Sequence, residues 1–153
     1  MERSRRAYMA SVVLAAMVTL AACQESTSSA AAYPVKMARP SNAAQVARGQ
    51  VLFMQHCARC HGERAQGDTQ WRRRNPDGTF PPPPLDGSGH AWHHSHSWLK
   101  EMIRNGAPQG NMPAWGGSLD EQQIEDLIAW FQSLWPDEVY AAWWAMEQRS
   151  QGQ

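Results

Sequence analysis

Cys57, Cys60 and His61 stand in the run Cys57-Ala58-Arg59-Cys60-His61, two thiols three residues apart with an imidazole directly after the second. On one helical turn, side chains at i and i+3 share a face. Both thiols can therefore reach the two vinyl groups of one haem while the adjoining imidazole is brought to its iron, and C-x-x-C-H reads as a c-type haem attachment site. A thioredoxin-like redox pair expects a buried strand before the first cysteine, whereas the residues before Cys57 read as helix. A zinc site needs two further ligands, and the chain has no second cysteine pair.

Three methionines follow this motif and bear on the second axial position of such an iron. Met102 falls in a helical pattern, where methionine commonly fills core gaps, and Met146 lies in a C-terminal extension. Met112 lies in a loop rich in Gly, Pro and Asn and precedes Pro113, which holds it extended. Met112 is the expected ligand; a buried structural methionine beside an open or histidine-bound iron is the competing reading. His90, His93, His94 and His96 form a second cluster, interleaved with Trp92 and Trp98. They are expected chiefly to line a haem pocket and hydrogen-bond its propionates, with surface positions or metal ligation as alternatives. Arg72, Arg73 and Arg74 make a basic cluster read as a solvated loop, or else as a docking patch for an acidic redox partner.

The third cysteine belongs to the N-terminal segment. Arg3, Arg5 and Arg6 precede an apolar run from Ala7 to Ala22, the pattern of an export signal. The run is short of the ~20 apolar residues that span a bilayer. It ends in Leu20-Ala21-Ala22-Cys23, which resembles the bacterial lipoprotein box, so Cys23 is the expected lipidation site and a Ser- and Ala-rich tether follows it. Thioether formation at Cys57 and Cys60 and lipidation of Cys23 leave no free thiol, which suits an oxidising periplasm. The 153 residues carry 14 basic and 14 acidic side chains; without the first 22 they carry 11 and 13, which argues against a general nucleic-acid partner.

These residues need a scaffold, and no stretch alternates long enough for a sheet. Ser41-Asn42 can cap a helix that sets Val46, Gly49, Phe53 and Cys57 on one face, hanging the haem from its end. Ser118 and Glu121 suggest a capping box ahead of the stripe Ile124, Leu127, Ile128, Phe131 and Leu134. A shorter helix from Ser95 or Ser97 to Arg104 would turn Trp98, Met102, Leu99 and Ile103 inward and end at Asn105-Gly106. The long interval from Gly62 to Ser95 is too irregular for an ordinary core, but loops wrapped on a large apolar macrocycle can bury surface without regular structure. Pro136 opens a further short helix containing Trp143 and Trp144, expected to pack back on the preceding domain.

Residues 42–135 resemble a class I, mono-haem cytochrome c in Gly49-Gln50-Val51-Leu52-Phe53, Cys57-x-x-Cys60-His61-Gly62, Pro84-Leu85-Asp86-Gly87, Asn111-Met112-Pro113-Ala114-Trp115 and the last amphipathic helix. The resemblance implies an all-α cytochrome c fold of three to five helices with long loops around one covalently bound haem c per chain. It also implies that Gly49 and Phe53 cross the last helix near Leu127 and Trp130, that His61 and Met112 ligate the iron, and that Pro83 offers its carbonyl to the far nitrogen of His61. The expected organisation is a signal peptide over 1–22, a lipidated tether over 23–41, the haem domain over 42–135 and a helical extension over 136–153. The function expected is one-electron transfer, not catalysis, by a periplasmic protein held on a bacterial membrane by its lipid, exchanging electrons with periplasmic or membrane redox proteins. A haem-based sensor or ligand binder and a periplasmic copper-handling protein are the alternatives.

Overall fold

The N-cap of the first helix is Asn42, whose side chain accepts the Gln45 N–H at 2.8 Å, and the helix runs Ala43–His56 (α1). A further turn, Ala58–His61 (α2), follows at once. After a long irregular stretch come a single 3-10 turn, Ala91–His93, and then His96–Asn105 (α3), Glu121–Ser133 (α4) and Asp137–Gln151 (α5). This computed structural model describes Arg39, residues 42–107 and residues 111–151. The expected export segment, Cys23 and the tether apart from Arg39 lie outside the described residues. The fold is all-α, as the sequence implies, with no strand among the described residues.

Helices α1 and α4 cross in close contact. A Cβ on Gly49 would strike the Asp126 carbonyl and lie 2.8 Å from Trp130 Cβ, so only glycine lets the two backbones approach this far. One turn on, the Phe53 and Trp130 rings pack with centroids 4.2 Å apart. The expected crossing therefore holds at Trp130, with Asp126 as its closest backbone contact. The same place holds an ion pair: Arg48 Nε and Nη2 donate to the two Asp126 carboxylate oxygens at 2.6 and 2.8 Å. That guanidinium holds the almost fully buried Asp126 below the usual carboxylate range.

Three details depart from the expected pattern. The N-cap of α4 is Asp120, not Ser118: Gln123 N–H donates to the Asp120 carboxylate at 2.8 Å, and Asp120 N–H to the Gln123 side chain at 2.9 Å. Ser118 N–H is already spent on the Trp115 carbonyl, closing a turn that delays the helix. Leu134 is exposed, because it follows the last turn of α4 where the stripe has rotated off the core. Trp98 is 39% exposed, and Leu99 takes the buried position on α3. Gly106 ends α3 at φ +75 with an extended ψ.

The C-terminal helix is longer than expected and packs back. Tyr140 and Trp143 are buried against Trp135, whereas Trp144 is half-buried, so the two adjacent indoles face different ways. Arg39 reaches the same corner: it donates to the Gln132 and Trp135 carbonyls at the end of α4, pairs with Asp137 and lies over the Tyr140 ring. A cation there complements the negative end of the helix dipole.

Candidate functional site

The turn after α2 builds one wall of the site. Gly67 N–H donates to the His61 carbonyl at 2.7 Å, Asp68 N–H to Pro82 O at 2.9 Å, and Leu85 N–H to Ala65 O at 2.7 Å, which clamps residues 61–68 against the proline tract. Gly67 has φ +63, and a Cβ there would lie 2.5 Å from the Pro83 carbonyl carbon, so glycine is required on both counts. Ala65 also adopts a left-handed φ of +58, fully buried, and no sequence signal marks it. The clamp delivers the Pro83 carbonyl to His61, whose Nδ1–H donates to it at 2.9 Å.

That bond fixes the tautomer. With Nδ1 carrying the proton, Nε2 keeps its lone pair, and burial lowers the imidazole's affinity for a second proton more than the Pro83 bond restores it. His61 is thus held as a neutral, oriented imidazole, the form in which histidine binds a metal. Burial, with Cys60 close by, pushes the Cys57 thiol up to about 12. A nucleophilic cysteine needs the opposite shift, so Cys57 is poorly suited to attack a disulfide.

His61, Cys57 and Cys60 open onto a cavity of about 1030 Å³ whose wall also contains Met112 and Met102. That exceeds the ~300–1,000 Å³ of ordinary small-molecule pockets. Its floor is the apolar face of the helices, including Phe53, Leu99, Leu127 and Phe131. The structure therefore brings Cys57, Cys60, His61, Pro83 and Met112 to one site, and it adds Met102, which the sequence pattern had left in the core.

The four histidines do not stay together. His90 and His94 line the cavity in a ladder of rings, with Trp71 stacked on His90 at 5.1 Å, His90 edge-on to His94 at 5.3 Å, and His94 stacked on Trp98 at 3.6 Å. His93 stacks outside on Trp92, and His96 pairs through Nε2 with Glu125 at 2.7 Å. Among the described residues no three His, Cys, Asp or Glu side chains converge as a metal site. The arginines separate as well. All three are exposed, but Arg72 lies over the Trp71 ring and lines the cavity, a position its charge run gave no hint of, while Arg74 lies over the Phe80 ring.

Residues 44–131, more than half of the chain, match the family described as cytochrome c oxidase, cbb3-type, subunit III. The chain belongs to this cytochrome c family. The Cbb3-type cytochrome c oxidase subunit CcoP of Azospirillum sp. (strain B510) is 32% identical over 96 residues, covering 63% of this chain and 31% of that protein. The CcoP subunit of Azospirillum brasilense is 31% identical over 96 residues, covering 63% and 30%. The chain spans about a third of the length of the curated relatives it matches. No solved structure matches it.

The cofactor of a cytochrome c is covalently bound haem c, and the residues present fit it. Besides the thiols, the neutral imidazole and the apolar cavity, the wall holds a buried atom with no hydrogen-bond partner among the described residues: Nδ1 of His90. A buried polar atom left unpaired costs ~1–3 kcal/mol. A carboxylate-bearing group in the cavity relieves that cost, and Arg72 beside His90 adds the matching charge. Burial, with His93 and Arg72 adding, keeps the unpaired His90 imidazole below the usual histidine range. Among the described residues no helix is long and apolar enough to cross a membrane.

Proposed function

We propose that this cytochrome carries single electrons, with one haem c that Cys57 and Cys60 would hold through thioethers and whose iron His61 Nε2 and Met112 Sδ would ligate. The observation that supports this reading best is that Cys57, Cys60, His61 and Met112 all line one cavity. Bound there, the haem supplies an iron that takes up and gives back one electron. The chain's own residues set the conditions. Each thiol would attach the haem by adding its S–H across one vinyl group, an addition that needs no oxidant. Pro83 holds the His61 imidazole in the tautomer that ligates. Met112 would offer the iron a soft thioether, which favours the ferrous state over harder ligands and would hinder small molecules from binding there. His90 and Arg72 hold the propionates, and Phe53, Leu127 and Phe131 exclude water from the flat apolar face. This makes the protein a carrier and not an enzyme.

The expected result is a ferric spectrum with the weak long-wavelength sulfur-to-iron charge-transfer band, in a protein with one haem per chain. A ferric protein lacking that band contradicts the ligand set.

Electron partners are periplasmic or membrane redox proteins, and lipidation of Cys23 holds the chain at a bacterial membrane on the periplasmic side. Wild-type protein is expected to label with fatty acid and sediment with membranes, and Cys23→Ser to lose the label and either stay unprocessed by the lipoprotein peptidase or be released as soluble protein. Recovery of wild type as unlabelled, freely soluble protein refutes the anchor.

A further inference from the structure

Helix α5 lies beyond the stretch matched by the family, which ends at residue 131. It nevertheless grips the wall of the cavity. Trp143, 3% exposed, donates its Nε1–H to the His94 carbonyl at 3.0 Å, and Glu147, 7% exposed, accepts the His96 N–H at 3.0 Å. These two side chains stand four residues apart, on one face of α5. They seize the backbone on either side of Ser95, the N-cap of α3. The Glu147 carboxylate also places negative charge at the positive end of the α3 dipole.

The other end of α3 carries the loop that holds Met112. Trp115 N–H donates to Ile103 O at 3.1 Å, Gly116 N–H to Arg104 O at 2.9 Å, and Ala107 N–H to Met112 O at 3.1 Å. Gly106 packs so closely that a Cβ there would lie 2.7 Å from Met112 O. A ten-residue helix is a stiff rod of ~15 Å. Held by its first turn, it transmits that hold to whatever is bonded to its last.

We infer that Trp143 and Glu147 are positioning residues for Met112, acting through α3. The inference rests on the reading of Met112 as an iron ligand. Helix α5 then does more than cover the aromatic cluster of Trp135 and Tyr140. By fixing the start of α3 it lowers the rate at which the Met112 loop swings away from the iron, and so the access of competing ligands.

The test uses the full-length holoprotein with Trp143→Phe, which keeps a ring but loses the N–H, and with Glu147→Ala and Glu147→Gln, the latter keeping an acceptor for His96. Arg48→Ala, at the α1–α4 crossing, is the control for general destabilisation. The readouts are the rate at which carbon monoxide binds the reduced protein and the melting temperature. Trp143→Phe combined with Glu147→Ala is expected to speed carbon monoxide binding at least tenfold, and Glu147→Gln to restore most of the Glu147→Ala effect. Arg48→Ala is expected to lower the melting temperature without changing the rate. An unchanged rate in the double variant, or an equal acceleration in Arg48→Ala, overturns the positioning role. A wild-type protein without the sulfur-to-iron band overturns the Met112 reading itself, so the two failures are distinguishable.

Discussion

Met112→Ala is expected to abolish the long-wavelength sulfur-to-iron band, open the iron to exogenous ligands, and lower the reduction potential. Alanine has no donor atom, so water or a nearby imidazole takes the position of a soft thioether that favours ferrous iron. Axial ligands move haem potentials over ~0.8 V in all, and exchanging thioether for a harder ligand is expected to use roughly 0.1–0.3 V of that range. The comparison that gives this result its meaning is Met102→Leu. Met102 and Met112 line the same cavity, but Met102 belongs to α3, whereas Met112 sits on an irregular loop before Pro113 and can present its sulfur along the iron axis. Leucine nearly conserves volume, so Met102→Leu is expected to keep the band and cost under ~1.5 kcal/mol. The reverse pattern, with the band lost in Met102→Leu and kept in Met112→Ala, transfers the ligand assignment to Met102.

Replacement of both Cys57 and Cys60 by alanine is expected to remove the haem altogether and with it most of the fixed tertiary structure. Without haem the apolar lining of the cavity, Phe53, Leu99, Leu127 and Phe131, is left facing water at ~25 cal/mol per Å², against a total domain stability of ~5–15 kcal/mol. The stretch from Gly62 to Ser95, with little helix of its own, is the part expected to lose order first, while α1 and α4 keep their direct contact through Gly49 and Trp130. The double variant should show no chromophore on a denaturing gel and a collapsed near-ultraviolet dichroism. Wild type should keep its chromophore on the polypeptide after denaturation; extraction of the haem by acidified organic solvent contradicts covalent attachment.

What the sequence made legible was local. The haem motif, the Asn42 cap and the apolar face of α4 depend on residues within a few positions of one another, where spacing carries the information. The start of α4 escaped because Ser118 and Asp120 are both good caps, and only the turn closed on Trp115 O decides between them. Trp98 counts as apolar in a helical pattern, yet its ring stacks on His94 at the cavity wall instead of in the helix core. The histidine cluster read as one unit because the four lie within seven residues, but the 3-10 turn and the start of α3 send their rings in different directions. Apart from the Gly49–Trp130 crossing and the His61–Pro83 bond, which the family resemblance supplied, contacts between distant residues left no trace. Arg48 with Asp126, Arg72 in the cavity wall, and Trp143 with His94 are set by how the helices pack, and no single segment announces them. The bond from His61 to the Pro83 carbonyl was reachable only through the family resemblance, since many carbonyls of the proline tract are equivalent in sequence.

The claim that the protein itself ligates the iron twice, so that the iron exchanges electrons and admits carbon monoxide only slowly, is tested most directly by an optically followed redox titration of the wild-type holoprotein, run under argon and again under carbon monoxide with each point read within seconds of mixing. A single one-electron step at the same potential under both gases is the predicted result. An apparent potential that rises under carbon monoxide means that the ferrous iron has an open or readily opened position, and that the protein senses or binds a ligand instead of carrying electrons.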